Sequence, residues 1–285
     1  MRWGEQIYKT DKKFVFGALF LLGLIAVIYN TTFVWLYERY TYVDSYYSHG
    51  FLVPFISGFL IWSKRKELKD IRREFSCMGL VLVIFSLILH FLSSLAEVFF
   101  VSGFSILFLA FGISLFLFGK EITKKILFPL SFLIFMFPLP IVAINAISFP
   151  MKMFVTKSAV FILETFTPIS VRNEGFQIFF SNGSLTIGNP CSGLRSLIVM
   201  LALGSIFAYF LKAGAAKKVL LFLSAVPIAI ISNMLRVILL CFAVYIYGNK
   251  IVEGFLHDFT GYLVFIFAFF GLWVVWRGLQ KDILK

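Results

Sequence analysis

Apolar residues fill this chain in long blocks separated by short polar stretches rich in Lys and Arg. A bilayer core of roughly 30 Å needs about 20 apolar residues in a helix to cross it. Eight blocks approach that length, at 14–36, 46–62, 77–95, 97–118, 126–144, 192–211, 219–246 and 259–276. The pattern predicts an all-α polytopic membrane protein with about eight transmembrane helices. One stretch, about 146–190, breaks it. Its first half mixes apolar residues with Lys152, Lys157 and Glu164, which suits an amphipathic helix lying on the membrane surface. Its second half holds two β-prone runs, 176–180 and 184–187, joined by Ser181-Asn182-Gly183, and Asn-Gly is a strong hairpin signal. A helix-plus-hairpin cap is thus expected between the fifth and sixth spans. No repeat or linker is evident, so 1–285 reads as one domain.

Composition sharpens the membrane reading. Apolar residues make up 60%, 38 positions are Phe and the mean hydropathy is +0.95, values outside the soluble range. The net charge of +12 invites a nucleic-acid partner, but the placement of the charges argues against one. Nineteen of the 26 Lys and Arg fall in five segments that share a side if the spans alternate: four at 2–13, six at 64–73, three at 120–125, three at 212–218 and three at 277–285. The positive-inside rule makes that side the cytoplasm, with both termini inside and the cap outside. The first block exceeds 20 residues with no small-residue cleavage pattern after it, so it is expected to remain as a helix. Cys77, Cys191 and Cys241 have neither disulfide nor metal spacing, and no cofactor or metal is implied.

Against this apolar background a few polar residues stand out. Cys191, in Asn189-Pro190-Cys191-Ser192-Gly193-Leu194-Arg195, sits where the cap turns into the sixth span. A helix N-terminus and a nearby Arg both favour a thiolate, which makes Cys191 a candidate nucleophile; the alternative is a small buried residue at a helix start. Arg236 lies within the seventh span, roughly ten residues or about 15 Å below its outer end. Such a charge faces a cavity or a partner; a structural acid such as Glu97, Glu164 or Asp258 is the alternative. His257 precedes the eighth span and, taken alone, reads as a surface histidine. Alternation nevertheless sends Cys191, Arg236 and His257 to the same face. Together they offer a nucleophile, a fixed cation for an oxyanion, and a general acid and base. Arg195, four residues after Cys191, is expected one turn deeper on the same helix face, where it lowers the thiol pKa, binds a substrate carboxylate or serves the structure. His49, beside Tyr46 and Tyr47 at the outer start of the second span, is either an interface anchor or part of the site. Cys77, Cys241 and His90 read as inert or packing residues. A transporter binding an anion through Arg236 and Arg195, a polysaccharide-assembly component and a scaffold remain alternatives.

Four segments carry a family resemblance: 47–54 (Tyr-Ser-His-Gly-Phe-Leu-Val-Pro), 191–197 (Cys-Ser-Gly-Leu-Arg-Ser-Leu), 233–236 (Asn-Met-Leu-Arg) and 254–261 (Gly-Phe-Leu-His-Asp-Phe-Thr-Gly). In this order and spacing the chain resembles the exosortase/archaeosortase family over nearly its whole length. The resemblance implies a membrane-embedded cysteine protease or transpeptidase. Its partners would be proteins ending in a PEP-CTERM-type signal, a short motif followed by a transmembrane helix and a basic tail. It also implies that Cys191, Arg236 and His257 are catalytic. Arg195, Asn233, His49 and Asp258 are the candidate substrate-binding residues. Archaeal members usually have Arg at the third catalytic position, so His257 points to the bacterial type. Pro190 stands where a small residue such as Ala often precedes the family's Cys.

Overall fold

A computed structural model describes residues 12–42, 45–248 and 257–281. Helices α1 (Lys12–Ile28) and α2 (Asn30–Thr41) are followed by a one-turn 3-10 helix, Ser48–Phe51, which leads into α3 (Leu52–Ser63) and the short basic α4 (Arg65–Lys69). Two long helices, α5 (Cys77–Leu95) and α6 (Phe99–Lys125), come next. Helix α7 (Leu127–Phe132) runs into a 3-10 turn, Leu133–Met136, before α8 (Ile141–Phe166). Strands β1 (Arg172–Glu174), β2 (Gln177–Phe180) and β3 (Gly183–Thr186) precede a 3-10 turn at Asn189–Cys191. Helices α9 (Leu194–Phe210), α10 (Ala215–Tyr247) and α11 (His257–Lys281) complete the described chain. These elements divide into two compact units, one of Met1–Thr41 with Lys66–Lys125 and one of Tyr42–Arg65 with Ile126–Lys285.

Five helices are long and apolar enough to cross a membrane: α5, α6, α8, α10 and Phe259–Lys281 within α11. The pair α1–α2 makes a sixth if counted as one bent span. The expected eight is therefore corrected to five or six among the described residues, and three of the expected blocks form shorter helices, Ser48–Ser63, Leu127–Met136 and Leu194–Phe210. Proline explains the largest departure. The block at 126–144 contains Pro138 and Pro140, and a proline lacks an N–H and pushes the residue before it toward extended backbone. Phe137 is extended, with φ −88° and ψ 117°, and Pro140 caps the next helix from an extended conformation. The apolar block is split accordingly, and its second part joins α8. That helix spans 26 residues, so the segment expected to lie flat on the surface from 146 is long and apolar enough to cross.

In the first unit the expected span 14–36 bends by 75° between α1 and α2. Asn30-Thr31-Thr32 supplies side chains that compete with helical hydrogen bonds. The break releases the Ile28 carbonyl, which accepts a bond from His90 Nε2 at 2.9 Å. A carbonyl only accepts, so Nε2 carries the proton. His90 Nδ1 meets Ser102 Oγ at 2.7 Å, and Ser102 also pairs with Thr32. Tyr29 Oη is shared between Ser105 Oγ at 3.0 Å and Ser86 Oγ at 3.3 Å, while the Tyr29 ring stacks on His90 at 3.9 Å. This buried ladder satisfies polar groups that lipid could not. On the far side of α6, Gly119 breaks the helix with φ +81°, and a Cβ there would come 2.5 Å from the Glu74 carbonyl oxygen. The sequence block ended one residue earlier, at 118.

In the second unit the three short helices pack on one another. Ser57 Oγ of α3 donates to the Pro129 carbonyl of α7 at 2.7 Å, and Phe128 of α7 stacks on Tyr209 of α9 at 4.2 Å. The sheet is antiparallel, in the order β1-β2-β3, with Phe180 opposite Gly183 at the hairpin end. The expected two-strand hairpin thus gains a third strand, whose residues, Arg172-Asn173-Glu174, are all polar and exposed and so carry no apolar alternation. Alternate residues of β2, Ile178 and Phe180, turn into a buried cluster with Ala159 and Leu163 of α8 and Val237 and Leu240 of α10.

His90→Ala removes the partners of the Ile28 carbonyl and the Ser102 hydroxyl together with a stacked ring. It is expected to lower stability by about 1–3 kcal/mol, read as an earlier thermal transition of the purified protein in detergent. An unchanged transition would show that the ladder does not hold the bend.

Candidate active site

The turn that carries Cys191 is fixed from within and from two helices. Cys191 N–H donates to the Gly188 carbonyl at 3.2 Å, and Ser192 Oγ donates to the Asn189 carbonyl at 2.7 Å. Leu194 N–H then donates to Ser192 Oγ at 3.3 Å, satisfying one of the open donors at the start of α9. From α8, Lys152 Nζ reaches Asn189 Oδ1 at 3.1 Å; from α10, Asn233 Nδ2 donates to the Cys191 carbonyl at 3.0 Å. Between Cys191 and α9 stands Gly193 in the left-handed region, with φ +82°. A Cβ there would be strained and would fall 2.8 Å from Asn233 Nδ2.

That glycine corrects one expectation. Cys191 lies in a 3-10 turn ahead of α9, not in its first turn, so the i, i+4 relation to Arg195 does not hold. The two residues part company. Cys191 is 4% exposed and packs in the apolar cluster with Val237, Leu240 and Cys241, whereas Arg195 lines a cavity of about 600 Å³.

This cavity gathers the recognised segments from four places in the fold. Ser48 and His49 come from the turn before α3, Arg195 from the start of α9, Asn233 and Arg236 from α10, and Gly261 from α11. Arg236 is 9% exposed, and its Nε donates to Thr260 Oγ1 of α11 at 3.4 Å. Asn233, 1% exposed, faces two ways: it lines the cavity and holds the Cys191 carbonyl. His49 stacks on Tyr47 at 5.9 Å, and Tyr47 Oη in turn accepts the Leu139 N–H at 3.2 Å, which anchors this turn to the segment between the two prolines.

Four of the seven expected site residues, His49, Arg195, Asn233 and Arg236, therefore share one cavity, and Cys191 is one hydrogen bond away from it through Asn233. His257 begins α11, one turn ahead of Thr260, but its side chain and that of Asp258 lie outside the described residues. Two supporting residues went unassigned in the sequence reading. Thr260 had a signal in its one-turn spacing from His257, and Lys152 had one as a charge within an apolar helix.

The family model described as transmembrane exosortase (Exosortase_EpsH) matches residues 35–274. The chain belongs to the exosortase family. No curated protein and no solved structure matches it. Membership makes the chain an integral membrane protein of protein sorting, and implies a protease-like sorting enzyme acting on proteins with PEP-CTERM-type C-terminal signals. The matched region begins within α2 and takes in all four segments that meet at the cavity.

Gly193→Ala is expected to cost about 1–2 kcal/mol from the left-handed backbone alone, and more from the collision with Asn233. Adding Asn233→Ala should relieve the collision, so that the double variant is less destabilised than the two single losses combined. Thermal unfolding of the four proteins reads this directly; strictly additive losses would contradict the contact.

Proposed function

We propose that this exosortase cleaves C-terminal sorting signals through a Cys191 thioester, with Arg236 and His257 as its catalytic partners. The observation that carries the reading is the convergence of all four family segments on one cavity whose wall, Asn233, also holds the Cys191 backbone. In this reading the Cys191 thiol gives its proton to His257 and the thiolate attacks the scissile carbonyl carbon. Negative charge develops on the carbonyl oxygen, and Arg236, held by Thr260, offsets it. Collapse breaks the C–N bond, His257 returns the proton to the leaving amine, and the N-terminal product stays on Cys191 as a thioester. Water or an amine then attacks the thioester and releases the thiol, which makes the enzyme a hydrolase or a transpeptidase.

The resting arrangement adds one requirement. Cys191 is buried among apolar side chains, so substrate binding must bring the thiol out of the cluster toward the cavity. Burial protects a nucleophilic thiol from water and oxidants between turnovers. The charge distribution along the sequence supports an orientation with the basic segments in the cytoplasm and this site at the outer face. The signal's apolar helix then lies beside the enzyme within the bilayer, and its basic tail remains inside.

Cys191→Ala is expected to abolish processing of a co-expressed reporter carrying such a signal, followed as a mobility shift on a gel. Arg236→Gln should lower the rate by about 10²–10³-fold, and Arg236→Lys by less, because the charge remains while the fork that meets Thr260 is lost. Full processing by Cys191→Ala would end the thioester reading.

A further inference from the structure

A lysine stands beside the nucleophile's turn without a part in the cysteine reaction as written above. Lys152 lies inside α8, a helix of spanning length, where an ammonium is costly and usually serves a site. Its Nζ donates to Asn189 Oδ1 at 3.1 Å and sits over the Phe176 ring, 5.0 Å from its centre. Phe149, on the preceding turn of α8, meets the same ring edge-on at 5.1 Å. Phe176 opens the hairpin and Asn189 follows it: the Phe176 carbonyl accepts the Ile187 N–H at 2.8 Å, and Asn189 comes two residues after Ile187. One ammonium thus grips the chain as it enters the hairpin and again as it leaves for Cys191. Both contacts are neutral. No carboxylate pairs with Lys152 among the described residues: Glu174 is taken by Arg172 at 2.6 Å, and Glu164 lies about three turns further along α8 and is exposed. The charge is therefore uncompensated, and it is anchored two residues before the thiol.

We propose that Lys152 is a positioning residue for the nucleophile, acting through Asn189 to hold the Cys191 turn and through its charge to favour the thiolate. The inference rests on the thioester reading above and adds a residue to it. Attack on a carbonyl needs the thiolate, and a fixed cation nearby favours that form. Asn189–Cys191 is a single 3-10 turn rising about 2 Å per residue, which puts the ammonium on the order of 10 Å from the sulfur. Over such a distance, with an effective dielectric of about 20, a unit charge moves the titration of a thiol by about one pH unit. The other titratable side chains described on the elements around Cys191 stand elsewhere. Arg195 of α9 and Arg236 of α10 line the cavity, Cys241 and Tyr245 of α10 pack in or against the apolar cluster, and Lys157 and Glu164 of α8 are exposed. Strands β2 and β3 carry none, and the Arg172–Glu174 pair of β1 is exposed. Different cations thereby serve the two sides of the reaction: Arg236 on the cavity side for the oxyanion, Lys152 on the hairpin side for the sulfur. A lysine suits the second task, because its ammonium is a compact point charge that needs no planar partner.

The test follows kcat/KM for reporter cleavage from acid to alkaline pH, with full-length enzyme in proteoliposomes. The acid limb of that profile reports formation of the thiolate. Removing a cation disfavours the thiolate, so the limb moves up. Lys152→Gln, which can still donate to Asn189 but carries no charge, is expected to raise it by about one pH unit, leaving cleavage about 10-fold slower below the limb and nearly unchanged on the alkaline side. Lys152→Met should raise it equally and also lower the alkaline rate, because the turn loses its tether. Lys152→Arg, which keeps the charge, should keep the limb of the unaltered enzyme. A tether with no electrostatic part gives a different pattern, with Lys152→Gln unaffected and Lys152→Met slower by one factor at every pH. That pattern overturns the proposal, as does a Lys152→Arg limb displaced as far as that of Lys152→Gln. Cys191→Ala run alongside separates the two levels. Processing that survives it sinks the thioester, whereas Cys191-dependent processing with an acid limb indifferent to the charge at 152 sinks only the role of Lys152.

Discussion

The hydrogen bond from Asn233 to the Cys191 carbonyl is the contact on which the rest of the site depends. It joins the middle of α10 to the turn that launches α9, two elements 42 residues apart in sequence. Because the bond is made to the backbone, it fixes the path of the turn without engaging the thiol. Gly193 makes the approach possible: any Cβ would occupy the space of the Asn233 amide. The left-handed step at Gly193 also reorients the chain, sending Cys191 into the apolar cluster and Arg195 into the cavity. One buried amide and one glycine thereby set where the nucleophile and the cations stand.

The elements around that contact are arranged to hold it. The sheet has little extent of its own, yet Ile178, Leu185 and Ile187 pack with α8 and α10 around Cys191. Lys152 reaches from α8 to Asn189, two residues before the thiol. On the opposite wall, Tyr47 locks the His49 turn to the Leu139 backbone. Proline places that anchor, because Pro138 and Pro140 end one helix and free an extended segment where an uninterrupted span would have left no available N–H.

Much of the site was legible in the sequence because its chemistry is out of place there. An Arg and an Asn inside an apolar run, a Cys beside Gly and Ser, and a His before a span are each costly in a bilayer and stand out on that ground. Which side chains meet was less legible. A spacing of four between Cys191 and Arg195 means a shared face only within a helix, and the helix starts two residues later than the apolar run suggests. Hydropathy likewise found the apolar blocks and misread their division: it cannot see that two prolines cut 126–144, that Asn30-Thr31-Thr32 bends the first block, or that a half-polar 146–166 joins apolar residues before it into a helix of spanning length. The third strand had no apolar alternation to announce it. The open Nε of Arg195 depends on tertiary surroundings that no spacing rule encodes.

A covalent intermediate is the most direct consequence of this account. Incubating the purified enzyme with a reporter, quenching in acid and measuring intact mass by mass spectrometry should reveal a fraction of enzyme heavier by the N-terminal product. The adduct should map to the peptide containing Cys191 and be released by hydroxylamine, as a thioester is. Processing at the normal rate with no adduct on Cys191, or with one on Cys77 or Cys241, would contradict it.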